Sequence, residues 1–212
     1  MNRKQLFAAI AALGFSAISQ AQVVVDADAG GSCSAVGGAV FSDNFDANPL
    51  ALNAVPTGWC VTSGTVDVIG NPNFFDLSPG NGRYIDLDGS SGQGGTLARS
   101  FTLFAGVSYV ASFDLAGNFR IGTPDLVTVD FGSTQMVYTL NQYDPFTKFA
   151  LTFTPTSDGI YNLSFANAGG DNQGALLDNV SMTAAVPEPE TYALMLAGLG
   201  AIGFMARRRK AI

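Results

Sequence analysis

The chain has 212 residues, a formal net charge of −7, a sequence pI of ≈ 4.3, no histidine and only two cysteines. So acidic a chain repels phosphate, which excludes nucleic acid as a partner. Without histidine there is no Ser-His-Asp or Cys-His catalysis and no imidazole ligand for zinc, copper or iron.

The first 21 residues read as a signal peptide. Arg3 and Lys4 open it, residues 6–18 are apolar, and Ser19, Gln20 and Ala21 put small residues at both positions a signal peptidase reads. Cleavage is expected between Ala21 and Gln22. Residues 22–38, with Gly30, Gly31, Gly37 and Gly38, read as a small-residue lead-in. Cys33 lies in it and Cys60 follows; an even pair in an exported chain favours a disulfide, with two free thiols as the alternative. The bond would stabilise by about 3 kcal/mol in the chain-entropy model.

Between the two ends lie about 160 residues, enough for one domain with a real core. There Arg83, Arg99, Arg120 and Lys148 stand against fifteen aspartates and no glutamate, a net charge of −11. Short carboxylates suit turns, where Asp bonds its own backbone, and they suit oxygen-ligated calcium. Short β-type runs at 39–41, 65–69, 84–87, 97–103, 108–115, 126–131, 135–140, 148–153, 159–165 and 175–183 alternate with turn clusters rich in Gly, Pro, Asn and Asp at 70–73, 78–82, 89–95, 122–125 and 168–171. Tyr109, Ala111, Phe113 and Leu115 share one strand face, and Phe149, Leu151 and Phe153 share another. One apolar face per strand predicts two packed sheets, an all-β sandwich over residues 39–184.

Two chemistries are open to such a domain. A glycosidase would need two carboxylates, and Asp86 and Asp88 are spaced to share a strand face, with Asp114 or Asp130 to join them. No catalytic role is expected, because nothing else marks a cleft. A glycan binder would place rings in or beside turns, where Trp59, Phe74, Phe75, Tyr84, Phe119, Tyr143 and Phe146 lie. Trp59, Phe74, Phe75 and Tyr84 are the expected ligand contacts. Phe74 and Phe75 lead, since adjacent side chains on a strand cannot both face the core.

Four ordered blocks carry a resemblance. They are Pro56 to Trp59 with residues 63–69, then Arg83 to Ser90, then residues 105–118, then Ala175 to Ser181 with Asp178 at its centre. In this order they resemble the choice-of-anchor C family of bacterial surface proteins, which is similar to galactose-binding-like jelly rolls. The resemblance implies that the sandwich over residues 39–184 is a jelly roll. Jelly rolls of that kind often carry calcium where the first and last strands meet. The resemblance therefore implies a structural calcium held by Asp43, Asp46 and Asp178; the alternative is that Asp43 and Asp46 shape a turn and Asp178 caps a strand end.

The tail, 185–212, has three parts: Val186, Pro187, Glu188 and Pro189; then a charge-free run; then Arg207, Arg208, Arg209 and Lys210. Residues 191–206 would make a helix of about 24 Å. That is just short of a usual membrane span, which the basic stop can extend by snorkelling. The tail resembles the PEP-CTERM sorting signal of Gram-negative bacteria. That resemblance implies a single membrane helix in the precursor, processing by an exosortase near Pro187 to Pro189, and display at the cell surface or in the matrix. It also implies association with exopolysaccharide in biofilm or floc. The partners expected are thus the exosortase, a glycan, and the inner membrane before processing. A matrix protein without a defined ligand is the alternative, and an Asp-dependent glycoside hydrolase the second.

Overall fold

The computed structural model describes residues 35–37, 40–71, 74–120, 122–185, 195–199 and 202. The signal peptide, Cys33 and the Val186 to Pro189 motif lie outside them. Residues 195–199 are helical, and among the described residues no helix is long and apolar enough to cross a membrane.

Among the described residues twelve strands follow one another: β1 (Ala35–Gly37), β2 (Val40–Asp43), β3 (Cys60–Ser63), β4 (Asp67–Gly70), β5 (Arg83–Asp86), β6 (Thr96–Leu103), β7 (Tyr109–Ala116), β8 (Asp125–Phe131), β9 (Thr134–Leu140), β10 (Thr147–Phe153), β11 (Gly159–Asn167) and β12 (Leu176–Ala184). They form two six-stranded sheets. One runs β1-β6-β11-β8-β9, with β3 also on β6; the other runs β10-β7-β12-β5-β4, with β2 also on β12. Every pairing is antiparallel except β1 with β6. We call them the β6 sheet and the β12 sheet. This is the two-sheet sandwich that the alternation predicts and the jelly roll that the family resemblance implies. β1 and β3 are additions: β1 falls in the expected lead-in and is paired in parallel with 100–102 of β6.

The core follows from the period of two. Tyr109, Ala111, Phe113 and Leu115 of β7 are all buried, as are Leu163 and Phe165 of β11 and Val127, Val129 and Phe131 of β8. Burying each large apolar side chain stabilises by about 2–3 kcal/mol. Rings meet edge to face inside it, Phe113 with Phe165 at 5.0 Å and Phe131 with Phe153 at 5.5 Å. Gly132 and Ser133 close the β8–β9 hairpin. Gly132 has φ of 59°, which the two-residue turn requires, and a Cβ there would overlap the Phe153 ring.

The β12 sheet differs from the expected pattern in being apolar on both faces along part of its width. Val68, Ile85, Leu177 and Leu115 point inward, while Ile69, Tyr84, Leu176 and Ala116 form a second buried cluster on the outside. The β4–β5 connection folds back over that outer face, and Phe74 and Leu77 from it pack there with Phe119 and Phe146. All four residues of β4 are consequently buried.

Candidate functional site

Where the cover ends, the outer face of the β12 sheet opens into a cavity of ≈ 310 Å³. Ile69 and Leu77 give it an apolar floor, and Leu52 and Phe75 an apolar wall; Asp67, Ser90, Arg120 and Asn172 supply its polar groups. Phe75 is 55% exposed and stands in the left-handed region at φ 49°. That conformation costs a non-glycine residue about 1–2 kcal/mol. The outlier sits at a pocket rim with its ring turned to solvent, where strain commonly serves a site. Its neighbour Phe74 packs inward, at 5.2 Å between ring centres.

The polar side is rigidly held. Asp67 and Asp86 are directly opposed across β4 and β5. Asp67 accepts from the Asn53 N–H at 2.7 Å, the Ser90 N–H at 3.1 Å and the Ser90 hydroxyl at 2.6 Å. Asp86 accepts from the N–H groups of Asp88 and Gly174, both at 3.0 Å, and pairs with the Arg120 guanidinium at 3.6 Å. Burial nevertheless pushes the Asp86 pKa up to about 8, outweighing those bonds and Arg120. Arg120 also donates to the Asn172 carbonyl at 2.6 Å. It thereby ties the loop after β7 to the loop before β12 and keeps its guanidinium at the pocket wall.

The expected ligand contacts divide. Phe75 is at the pocket. Trp59 and Tyr84 are corrected to core residues, since buried rings have no face to offer a sugar. Trp59 is 4% exposed, packs among Phe41, Phe45 and Phe165, and donates from its indole to Asp43 at 2.9 Å. Tyr84 is fully buried. Its hydroxyl accepts from the N–H groups of Leu77 and Ser78, at 2.6 and 2.8 Å, and donates to Asp76 at 3.0 Å. It fastens the cover rather than touching what lies beyond it. Arg120, Asn172, Asp67 and Ser90 carry no local sequence signal; three loops and a strand bring them together.

Of the carboxylates a glycosidase could use, Asp86 and Asp88 are buried and Asp130 stands apart from them. Asp86 and Asp88 are 1% and 0% exposed, with Asp86 Oδ1 and Asp88 Oδ2 each taken up by backbone N–H groups. Asp130, beside Gln135, lies on the other sheet.

Asp43, Asp46 and Asp178 do come near one another. Asp178 is 3% exposed, and burial, with the charges of Asp46, Asp114 and Asp43 added, pushes its pKa up to about 7 against the Asn179 N–H. A buried carboxyl among three others has the hard-oxygen chemistry calcium takes. In this structure hydrogen bonds hold the side chains apart: Asp43 accepts from the Phe45 N–H and Trp59, Asp46 from the Arg83 N–H. Among the described residues no three acidic, histidine or cysteine side chains stand close enough to hold a metal unaided. Cys60 opens β3 and is not a free thiol, while Cys33 lies outside the described residues.

Residues 185–210 match the family model for the PEP-CTERM protein-sorting motif. The tail is a PEP-CTERM sorting signal. No curated protein matches the chain. Among solved structures the chain is similar to the CBM22-1 xylan-binding domain of Paenibacillus barcinonensis Xyn10C, at 14% identity and TM-score 0.46, covering 73% of this chain and 100% of that one. It is also similar to the C-terminal CBM6 of LamC from Zobellia galactanivorans (10%, TM-score 0.39, 68% and 98% covered) and to a family 16 carbohydrate-binding module (15%, 0.42, 59% and 90%). The ligands in those names belong to those proteins.

Proposed function

We propose that this PEP-CTERM protein is exported, processed at its tail by an exosortase, and held at the cell surface or in the matrix by binding a neutral glycan on the outer face of the β12 sheet. The observation that carries the glycan reading is the pairing of an exposed, conformationally held Phe75 with fixed polar groups around one cavity. A sugar ring has an apolar C–H face and a rim of hydroxyls. An aromatic face beside a guanidinium, a hydroxyl and an amide matches both, in a cavity at the lower end of the range of about 300–1,000 Å³ typical of ligand pockets. The net charge of −11 in the exported part favours neutral over polyanionic sugars. Biofilm or floc exopolysaccharide is the ligand class that the sorting signal brings to this reading.

Binding of the purified chain to its host's exopolysaccharide tests it. Retention by the wild type and at least about tenfold weaker retention of Phe75→Ala, a loss of 1.4 kcal/mol, is expected. No retention by any neutral polysaccharide would leave a matrix protein without a defined ligand.

Two structural proposals accompany it. Calcium at Asp43, Asp46 and Asp178 would join the end of β2 to β12. A Cys33–Cys60 bond would tie the lead-in to β3, beside the buried Trp59; mass spectrometry of a non-reduced digest would find the cross-linked peptide, and free thiols at both sites would refute it.

A further inference from the structure

The edge of a sheet exposes the unpaired half of a strand's backbone, and proteins guard it with a charge, a bulge, a short strand or a cover. Most edges of this sandwich are guarded in one of these ways. β1 has three residues and β2 four, and β3 has four with a register shift between Val61 and Ser63. β4 is covered by Ala51, which exchanges backbone bonds with Val68 at 3.1 and 2.9 Å. β10 carries Lys148, exposed and paired with Asp114 at 3.3 Å.

β9 has no such guard. It ends the β6 sheet and pairs with β8 along all of its length, and its backbone groups have no other partner among the described residues. Its sequence, Thr134-Gln-Met-Val-Tyr-Thr-Leu140, has no charge, proline, glycine or register shift. Met136 and Val137 are 54% and 55% exposed. The hairpin fixes which groups face out. In a two-residue hairpin the closing pair, here Phe131 and Thr134, exchanges both backbone bonds, and bonded pairs alternate from there. Gln135, Val137 and Thr139 therefore turn their N–H and C=O groups to the open edge.

What fits this edge best is a second copy of it. In an antiparallel pair with Val137 opposite Val137, Gln135 falls opposite Thr139 and Met136 opposite Tyr138. The three outward residues of each strand then meet in bonded pairs, and Val137 and Met136 are covered. A register centred on Met136 would instead set Thr139 against the turn at Ser133. Charge points to the same strand. The exported part carries a net −11, so two copies repel one another overall, and an uncharged strand is where they can meet at least cost.

We propose that β9 is a self-association edge, through which two copies of this protein pair antiparallel about Val137 and run their β6 sheets into one. The contact is isologous, each copy offering the same strand to the other. The pair would carry two Phe75 cavities; any gain in avidity from them rests on the glycan reading, and the pairing itself does not.

Sedimentation velocity of the purified full chain in detergent, at several protein concentrations, tests the proposal. The wild type is expected to show a monomer–dimer equilibrium. It should tighten as sodium chloride rises from about 0.01 to about 0.15 M, because the Debye length falls from about 30 to about 8 Å and screens the repulsion. Val137→Lys sets a cation at the centre of the pairing and should weaken it at least about tenfold while melting like the wild type. Ile160→Lys makes the same charge change on β11, two strands in from the edge, and should dimerise as the wild type does. A wild type that stays monomeric overturns the proposal, as does a dimer that weakens with salt. So does association that survives Val137→Lys, which is what association through the tail would do, or that is lost in both variants.

Discussion

The two sheets share a core but not an outside. On the β6 sheet the outer row is mixed and largely open: Ser100, itself buried, donates to Asn162 at 2.8 Å across β6 and β11, while Ile160 and Val137 are 64% and 55% exposed. On the β12 sheet the corresponding positions are Ile69, Tyr84, Ala116 and Leu176, buried under the 71–82 segment and two further phenylalanines. A bare face needs only solvent-compatible side chains. A covered face becomes a second core, and the incomplete edge of its cover is what leaves a walled cavity with immobilised polar groups. Position on the sandwich, rather than strand chemistry, decides which face can recognise anything.

The contrast can be broken first by cavity formation. Leu176→Ala, at a fully buried outer position, should cost about 2–5 kcal/mol in denaturant unfolding, whereas Ile160→Ala on the open sheet should stay within about 0.5 kcal/mol. Equal effects would mean that the cover is not packed as described. Next comes the fastening of the cover. Tyr84→Phe keeps the ring and strands the Leu77 and Ser78 N–H groups, for a loss of about 1–3 kcal/mol. The same residue sets a pH dependence. Burial pushes its pKa up to about 12, against roughly 10 in the unfolded chain. Its contribution is therefore intact below pH 10 and fades as pH rises towards 12. Tyr84→Phe should flatten the fall in stability over that window; an unchanged slope would detach the phenol from the cover. The smallest expected effect is Phe75→Ala, whose exposed ring should change stability by less than about 0.5 kcal/mol, since alanine keeps the Cβ that the left-handed backbone opposes.

Alternation made most of this sandwich legible. The 109–115 run places Tyr109, Ala111, Phe113 and Leu115 on one face, and all four are buried in the structure. β3 and β1 were not legible: β3 is a four-residue, half-exposed strand and β1 three residues among glycines, both defined by pairing with β6. Trp59 and Tyr84 were misplaced because proximity to turns reads as exposure. The tertiary partners that bury them, Asp43 for the indole and the 77–78 backbone for the phenol, are invisible locally. The adjacent apolar pair Val68 and Ile69 carries a hint, since a strand apolar on successive positions is covered on both sides. Arg120 and Asn172 meet across separate loops, and no spacing announces such a pair.

The most direct test of the central claim is one glycan-binding measurement on a matched pair from the two faces. The host's exopolysaccharide would be titrated against Phe75→Ala and Ile160→Ala, both at exposed apolar positions, one in the cover of the β12 sheet and one on the open face of the β6 sheet. The account predicts at least about a tenfold weaker Kd for Phe75→Ala and a wild-type Kd for Ile160→Ala. A wild-type Kd for Phe75→Ala with a weakened one for Ile160→Ala would move recognition to the open face and contradict it.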